Sequence, residues 1–153
     1  MGFSQSMYQG SVIAMKIIIV SILAIISMYS SEVLSCTESK DPATVVQAQV
    51  DAYNAHDVEL FASCYSSDVK MQDLWDDTTD IVGKKDLLKT YQFLKTVPEE
   101  FKVIIEKRMV NGAIVIDYER LTGLSDGRED RLVFAIYEVR DGKIKNVWFP
   151  PHL

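Results

Sequence analysis

Two dipeptides, Asn111-Gly112 and Asp141-Gly142, restrict this chain more than any other feature. A two-residue hairpin turn needs positive φ at its central positions, which Asn, Asp and Gly tolerate and most residues do not. Each dipeptide sits between apolar, β-branched runs. "FKVIIEKRMV" and "AIVIDYERL" flank the first, and "REDRLVFAIYEVR" and "KIKNVWF" flank the second. Residues 122–127, "TGLSDG", link the two hairpins, so the C-terminal half predicts a four-stranded antiparallel meander. Within it, 132–139 is apolar on both sides: Val133, Ala135, Tyr137 and Val139 share one parity, and Leu132, Phe134 and Ile136 share the other. An antiparallel sheet usually keeps one face wet. The expectation is that helices cover one face and a second copy covers the other, making a homodimer.

The helices precede the meander. Asp41 is placed as an N-cap and Pro42 as the first helical residue, ahead of a stripe of Val45, Val46, Gln49, Val50 and Tyr53. Asp57 restarts a short helix whose apolar side is Leu60, Phe61, Cys64 and Tyr65. A third helix is expected through "KKDLLKTYQFLK", with Leu87, Leu88, Tyr91 and Leu94 inward, ending before Pro98. Between the second and third lies "SSDVKMQDLWDD", residues 66–77, a short strand running into carboxylates. The fold class is therefore α+β, with three N-terminal helices packed on a curved antiparallel sheet.

With 153 residues, 48% of them hydrophobic, the chain can build one real core. A net charge of −6 with no Lys/Arg cluster argues against nucleic acid or an anionic membrane surface as partner. The first 35 residues read differently. "MKIIIVSILAIISM", from Met15 to Met28, has the basic start and short apolar stretch of an export signal, and Met15 is a plausible start. Residues 1–35 are expected to be a signal peptide, 36–41 a short linker and 42–153 the folded domain, located outside the cytoplasm. "VLSC" before the domain resembles a bacterial lipobox, making Cys36 a candidate lipidation site and the sole expected membrane link. Cys64, on the apolar side of its helix, is expected to be a buried structural thiol; the alternative, if Cys36 is not acylated, is a Cys36–Cys64 disulfide in that oxidising setting.

Several motifs are decoys. Gly123-Leu124-Ser125-Asp126-Gly127 matches a nucleophile elbow, but that device works at a strand-to-helix turn, and here it joins antiparallel strands. His56 and His152 are the only histidines. Asp73, Asp76, Asp77 and Asp80 lack the glycine and terminal Glu of a calcium loop. No phosphate-cradling glycine loop is present, so neither metal nor cofactor is expected.

The remaining chemistry is a pocket. Helices on a bent sheet enclose a cone, open at one end. The residues assigned to its lining are Gln49, Tyr53, Trp75, Tyr91, Tyr118, Ala135, Tyr137 and Trp148. Asp73 follows Val69 and Met71 on one strand parity, which aims a carboxylate at the same apolar space. Burial would raise its pKa toward the range of a general base.

Residues 42–150 resemble the SnoaL-like branch of the NTF2-like superfamily. The likeness rests on "VVQAQVDAYNAHDVELFASCYSSDVKMQD", "IVGKKDLLKTY", "VIDYERLTG" and "AIYEVRDGKIKNVWF", and is close to bacterial steroid Δ-isomerase-like proteins. It implies a cone-shaped α+β domain, often dimeric through the convex sheet face. It also implies that Asp73 stands where the isomerases carry their base. The isomerase tyrosine aligns with Gln49, one helical turn before Tyr53, and the isomerase's protonated acid aligns with Ala135, which donates nothing. Two functions are thus expected: an exported domain holding an apolar small molecule, or an isomerase- or cyclase-like enzyme in which Asp73 takes a proton and Tyr53 or Gln49 bonds the substrate oxygen.

Overall fold

The computed structural model describes residues 36–75, 79–124 and 128–150. The order of elements is α1 (Pro42–Asn54), α2 (Val58–Ser63), β1 (Tyr65–Asp73), β2 (Thr79–Val82), α3 (Gly83–Thr90), a 3-10 helix (Tyr91–Lys95), β3 (Lys102–Asn111), β4 (Ile114–Thr122), β5 (Arg131–Arg140) and β6 (Lys143–Phe149). The predicted α+β order holds. The third helical segment is α-helical only to Thr90 and tightens to 3-10 geometry from Tyr91, and β2 is a strand that the sequence pattern did not reveal.

The Asp141-Gly142 turn takes positive φ at both residues, 51° and 74°, as predicted, whereas at the other hairpin Gly112 and Ala113 form the turn and Asn111 stays in β3, paired with Ile114. Asp41 Oδ2 accepts from the Thr44 N–H at 2.9 Å and the Thr44 hydroxyl at 2.7 Å, closing the start of α1. His56 adopts φ 56°, a left-handed turn that ends α1 and lets Asp57 cap α2 through the Leu60 N–H. The His56 ring Nε2–H donates to the Phe101 carbonyl at 2.8 Å. Asn54 donates to the Val103 carbonyl and accepts from the Val103 N–H, both at 2.8 Å. Together these pin the end of α1 to the start of β3. Gly123 has φ +66°, and a Cβ there would collide with the Glu100 backbone, so only glycine fits.

The six strands are ordered β2-β1-β6-β5-β4-β3. All neighbours are antiparallel except β1 and β6, which run parallel with Asp73 opposite Phe149. The first and last strands therefore lie side by side within the sheet. In β3 the register slips between Ile105 and Lys107. The hairpin register sets Arg108 opposite Asp117, and this bulge lets Val103, on its other side, face inward as well.

Helices α1 and α2 cover the concave face. Val45, Val46, Val58, Leu87, Leu94, Val115, Ile144 and Val147 are wholly buried, and Phe61 and Tyr65 nearly so. Burial of such side chains is worth roughly 1.5–3 kcal/mol each relative to exposure, and it holds the layers together. Phe61 is the hub of the aromatic packing, with ring centroids 4.6 Å from Tyr91, 5.0 Å from Tyr65 and 5.8 Å from Tyr53. Cys36 and Cys64 form a disulfide. The sulfur that a lipid would take on Cys36 is thus bonded to Cys64 in this structure, and an acylated Cys36 could not make this bridge.

The other sheet face is apolar and open. Ile104, Met109, Leu132 and Phe134 are each 41–50% exposed, and Tyr118 stacks on Phe134 at 4.7 Å.

Candidate functional site

Strand pairing decides which side chains meet inside. Along β4, Val115, Asp117, Glu119 and Leu121 share one parity. They stand opposite Tyr137, Ala135, Val133 and Arg131 of β5, respectively. That face of β4 lies under α1, and it carries two acids. Asp117 is wholly buried and Glu119 is 6% exposed. Burying carboxylates in an apolar layer is unfavourable unless each finds a partner.

Asp117 finds Arg108. The guanidinium Nε–H and Nη2–H donate to the two carboxylate oxygens at 2.7 Å each. Its remaining Nη1 donates to Gln47 Oε1 at 2.9 Å and the Ala43 carbonyl at 3.3 Å, tying the pair to α1. This planar two-point contact is one that only arginine makes. Glu119 instead accepts a hydrogen bond from the Tyr137 hydroxyl at 2.9 Å. Its carboxyl is pushed up to about 7, chiefly by burial and further by the charge of Asp117. The Tyr137 hydrogen bond and the Arg108 charge pull the other way. Burial likewise drives the hydroxyls of Tyr53, Tyr91 and Tyr137 well above the usual phenol range, so all three remain neutral donors.

Above these groups lies a cavity of about 220 Å³. Val50, Val103, Leu121, Val133 and Phe149 give it apolar walls, and Tyr53, Tyr65, Tyr91 and Tyr137 give it aromatic ones. Glu119, Gln49 and the tyrosine hydroxyls supply its interior polar atoms, and Arg131, exposed, stands at its edge. Gln49 is 5% exposed, and its Oε1 is buried with no hydrogen-bond partner. A buried acceptor left this way is normally worth explaining, because desolvation costs about 1–3 kcal/mol.

Of the residues assigned to the pocket by sequence, Gln49, Tyr53, Tyr91 and Tyr137 do line it. The others do not. Asp73 lies at the end of β1, half-buried, and its Oδ1 accepts from the Trp75 N–H at 2.8 Å. It caps the turn that follows and is not part of the cavity wall. Trp75 is 79% exposed. Tyr118 has the opposite parity to Glu119 and lies on the open sheet face. Trp148 pairs with Ile136 on that same side, and its indole N–H donates to Gln72 Oε1 at 2.9 Å. Ala135 is wholly buried opposite Asp117, beneath the cavity. Ser125, Asp126, Gly127, Asp76, Asp77 and His152 lie outside the described residues.

The acid of this site, Glu119, was not found by reading the sequence. Alternation along 114–122 sets Ile114, Ile116 and Tyr118 against Asp117 and Glu119, and hydropathy alone assigns the acids to water. An Asn111-Gly112 turn would set Arg108 opposite Val115; it is the observed Gly112-Ala113 turn that brings Arg108 opposite Asp117.

A model of the SnoaL-like domain matches residues 46–147. The chain belongs to the SnoaL-like family. No curated protein matches the sequence. Among solved structures, this SnoaL-like chain is similar to a cystatin-fold protein from Novosphingobium aromaticivorans, at 23% identity and TM-score 0.60, over 69% of this chain and 93% of that one. It is also similar to a candidate ketosteroid isomerase from Kribbella flavida, at 22% identity and TM-score 0.60, over 74% and 79%. An LEH-like epoxide hydrolase of M. tuberculosis follows the same path at 19% identity and TM-score 0.61, over 74% and 84%. Identities this low establish the shared NTF2-like fold. Activity has to be argued from the site.

Proposed function

We propose that this SnoaL-like domain binds a small, largely apolar molecule in its cone and acts outside the cytoplasm as a homodimer. The observation that carries the binding reading is the cavity of about 220 Å³, walled by aliphatic and aromatic side chains, with Glu119, the unpartnered Gln49 Oε1 and the tyrosine hydroxyls as its interior polar atoms. Such a composition matches ligand sites in general, where apolar walls supply affinity and a few placed polar groups set orientation. Export is supported by the apolar leader pattern and by the Cys36–Cys64 bridge, which persists in oxidising compartments. The dimer is supported by the open apolar sheet face around Phe134 and Met109.

Filling the space tests the binding reading. A Leu121→Trp chain should lose binding of an environment-sensitive apolar dye at least tenfold while keeping its circular dichroism spectrum. Asp73→Asn should bind like the natural chain. Undiminished dye binding in the Leu121→Trp chain would refute the cavity as the site.

A second reading is favoured by the Glu119 carboxyl near neutrality. Glu119, rather than Asp73, would take a proton from carbon beside a carbonyl, with the neutral Tyr53 hydroxyl bonding the developing oxyanion. Hydrogen–deuterium exchange at the α-carbon of a cyclic ketone, followed by NMR, measures it. Exchange that persists in Glu119→Gln would eliminate this assignment.

A further inference from the structure

The cavity holds neutral donors, the hydroxyls of Tyr53, Tyr65 and Tyr91, beside two acceptors. Glu119 is an acceptor, and Gln49 Oε1 is a buried acceptor with nothing donating to it. Arg108 cannot answer them, because both ends of its fork are engaged by Asp117 and α1. Arg131, from β5, is exposed at the edge, where water screens it. The other groups facing Glu119 are Asp117 of its own strand, Tyr137 of β5, Tyr53 of α1, Tyr91 of the 3-10 helix and Tyr65 of β1. They contribute one more negative charge and several ring faces, whose π-clouds attract cations. Arg108 neutralises Asp117, so the interior left to a ligand has the sign of Glu119 alone.

Resting on the reading of the cone as a small-molecule site, we propose that its ligand is a small organic cation. This would be an alkyl- or arylmethyl-ammonium whose N–H groups donate to Glu119 and Gln49 Oε1 while its carbon body lies against Tyr53, Tyr91 and Phe149. A neutral alcohol could satisfy Gln49 but would leave the Glu119 charge without a counterpart. An anion would meet that charge at close range in a poorly screened space. A protonated amine meets both acceptors and the ring faces together. The net charge of −6 on the chain favours the approach of a cation as well.

Isothermal titration calorimetry of the disulfide-intact chain with benzylamine, and with benzyl alcohol as its neutral isostere, tests this. At pH 8 benzylamine should bind at least tenfold more tightly than the alcohol. Benzylamine is a cation at both pH 8 and pH 5.5, so its affinity should follow the ionised fraction of Glu119. With that carboxyl at about 7, the affinity falls about 30-fold on going to pH 5.5, while that of the alcohol stays constant. Glu119→Gln should bring the amine down to the level of the alcohol, and Gln49→Leu should weaken the amine with Glu119 intact. Equal binding of amine and alcohol at pH 8, or an amine preference that survives Glu119→Gln, overturns the cation and leaves the cavity reading standing. If neither probe binds, both fall.

Discussion

Replacing Glu119 by glutamine should stabilise the fold, by an amount that grows with pH. The carboxyl ionises near 4.5 when solvated and at about 7 in the folded chain, because burial penalises its charge. A group whose folded pKa is raised contributes most below its unfolded value, and that contribution is lost as pH rises through the folded value. At about 1.4 kcal/mol per pKa unit, the loss is under about 1 kcal/mol at pH 5 and about 3 kcal/mol at pH 8. The amide of the Glu119→Gln chain keeps an acceptor for the Tyr137 hydroxyl, is neutral throughout, and escapes this loss. Urea unfolding of both chains at pH 5 and pH 8 reads the difference directly, since every other titration cancels between them. In a domain of this size the gap at pH 8 amounts to roughly 10 °C in melting temperature. Equal stabilities at pH 8, or a gap that does not widen with pH, would show that Glu119 ionises as a solvated carboxylate. The same result would mean that the cavity is wet to its floor.

Two further outcomes follow from the same packing. Arg108→Met leaves Asp117 as a buried charge without its fork of donors and should lower unfolding free energy by about 3–5 kcal/mol in denaturant melts; a loss below about 1 kcal/mol would mean that water reaches Asp117. Opening the Cys36–Cys64 bridge, which spans 28 positions, should lower stability by about 3.5 kcal/mol, seen as a drop in melting temperature on reduction that Cys64→Ala reproduces.

The helices, the two hairpins and the meander were legible in the sequence, because caps, Asn-Gly and Asp-Gly turns and apolar period are local signals. The inward stripe Val45, Val46, Gln49, Val50 and Tyr53 was read correctly for the same reason: its period lies within one helix. The face of β4 was not legible, since it is set by pairing with β5 across a connection whose length carries no register information. Hydropathy then pointed to the wrong side, with Tyr118 in and Glu119 out. The structure reverses this by supplying Arg108 and Tyr137, and the bulge that lets both Val103 and Arg108 face inward is itself invisible to period-two reasoning. Asp73 was misplaced for a different cause. Strand parity did point it inward, but β1 ends there and the carboxylate turns back onto the Trp75 amide. Local rules failed at the buried acid of the cavity, where a functional demand is expected to override them.

The parallel pairing of β1 with β6 also dictates when the molecule can become complete. Asp73 meets Phe149, so this seam of the sheet joins the domain's first strand to its sixth. During synthesis the helices and the β3–β4 hairpin can form as they emerge, while β1 and β2 wait with an exposed edge until β6 follows. A chain stopped before residue 143 would keep the β3–β4 hairpin and β5, yet β1 would have no strand linking it to them. The sheet therefore stays in two parts until β6 has been made.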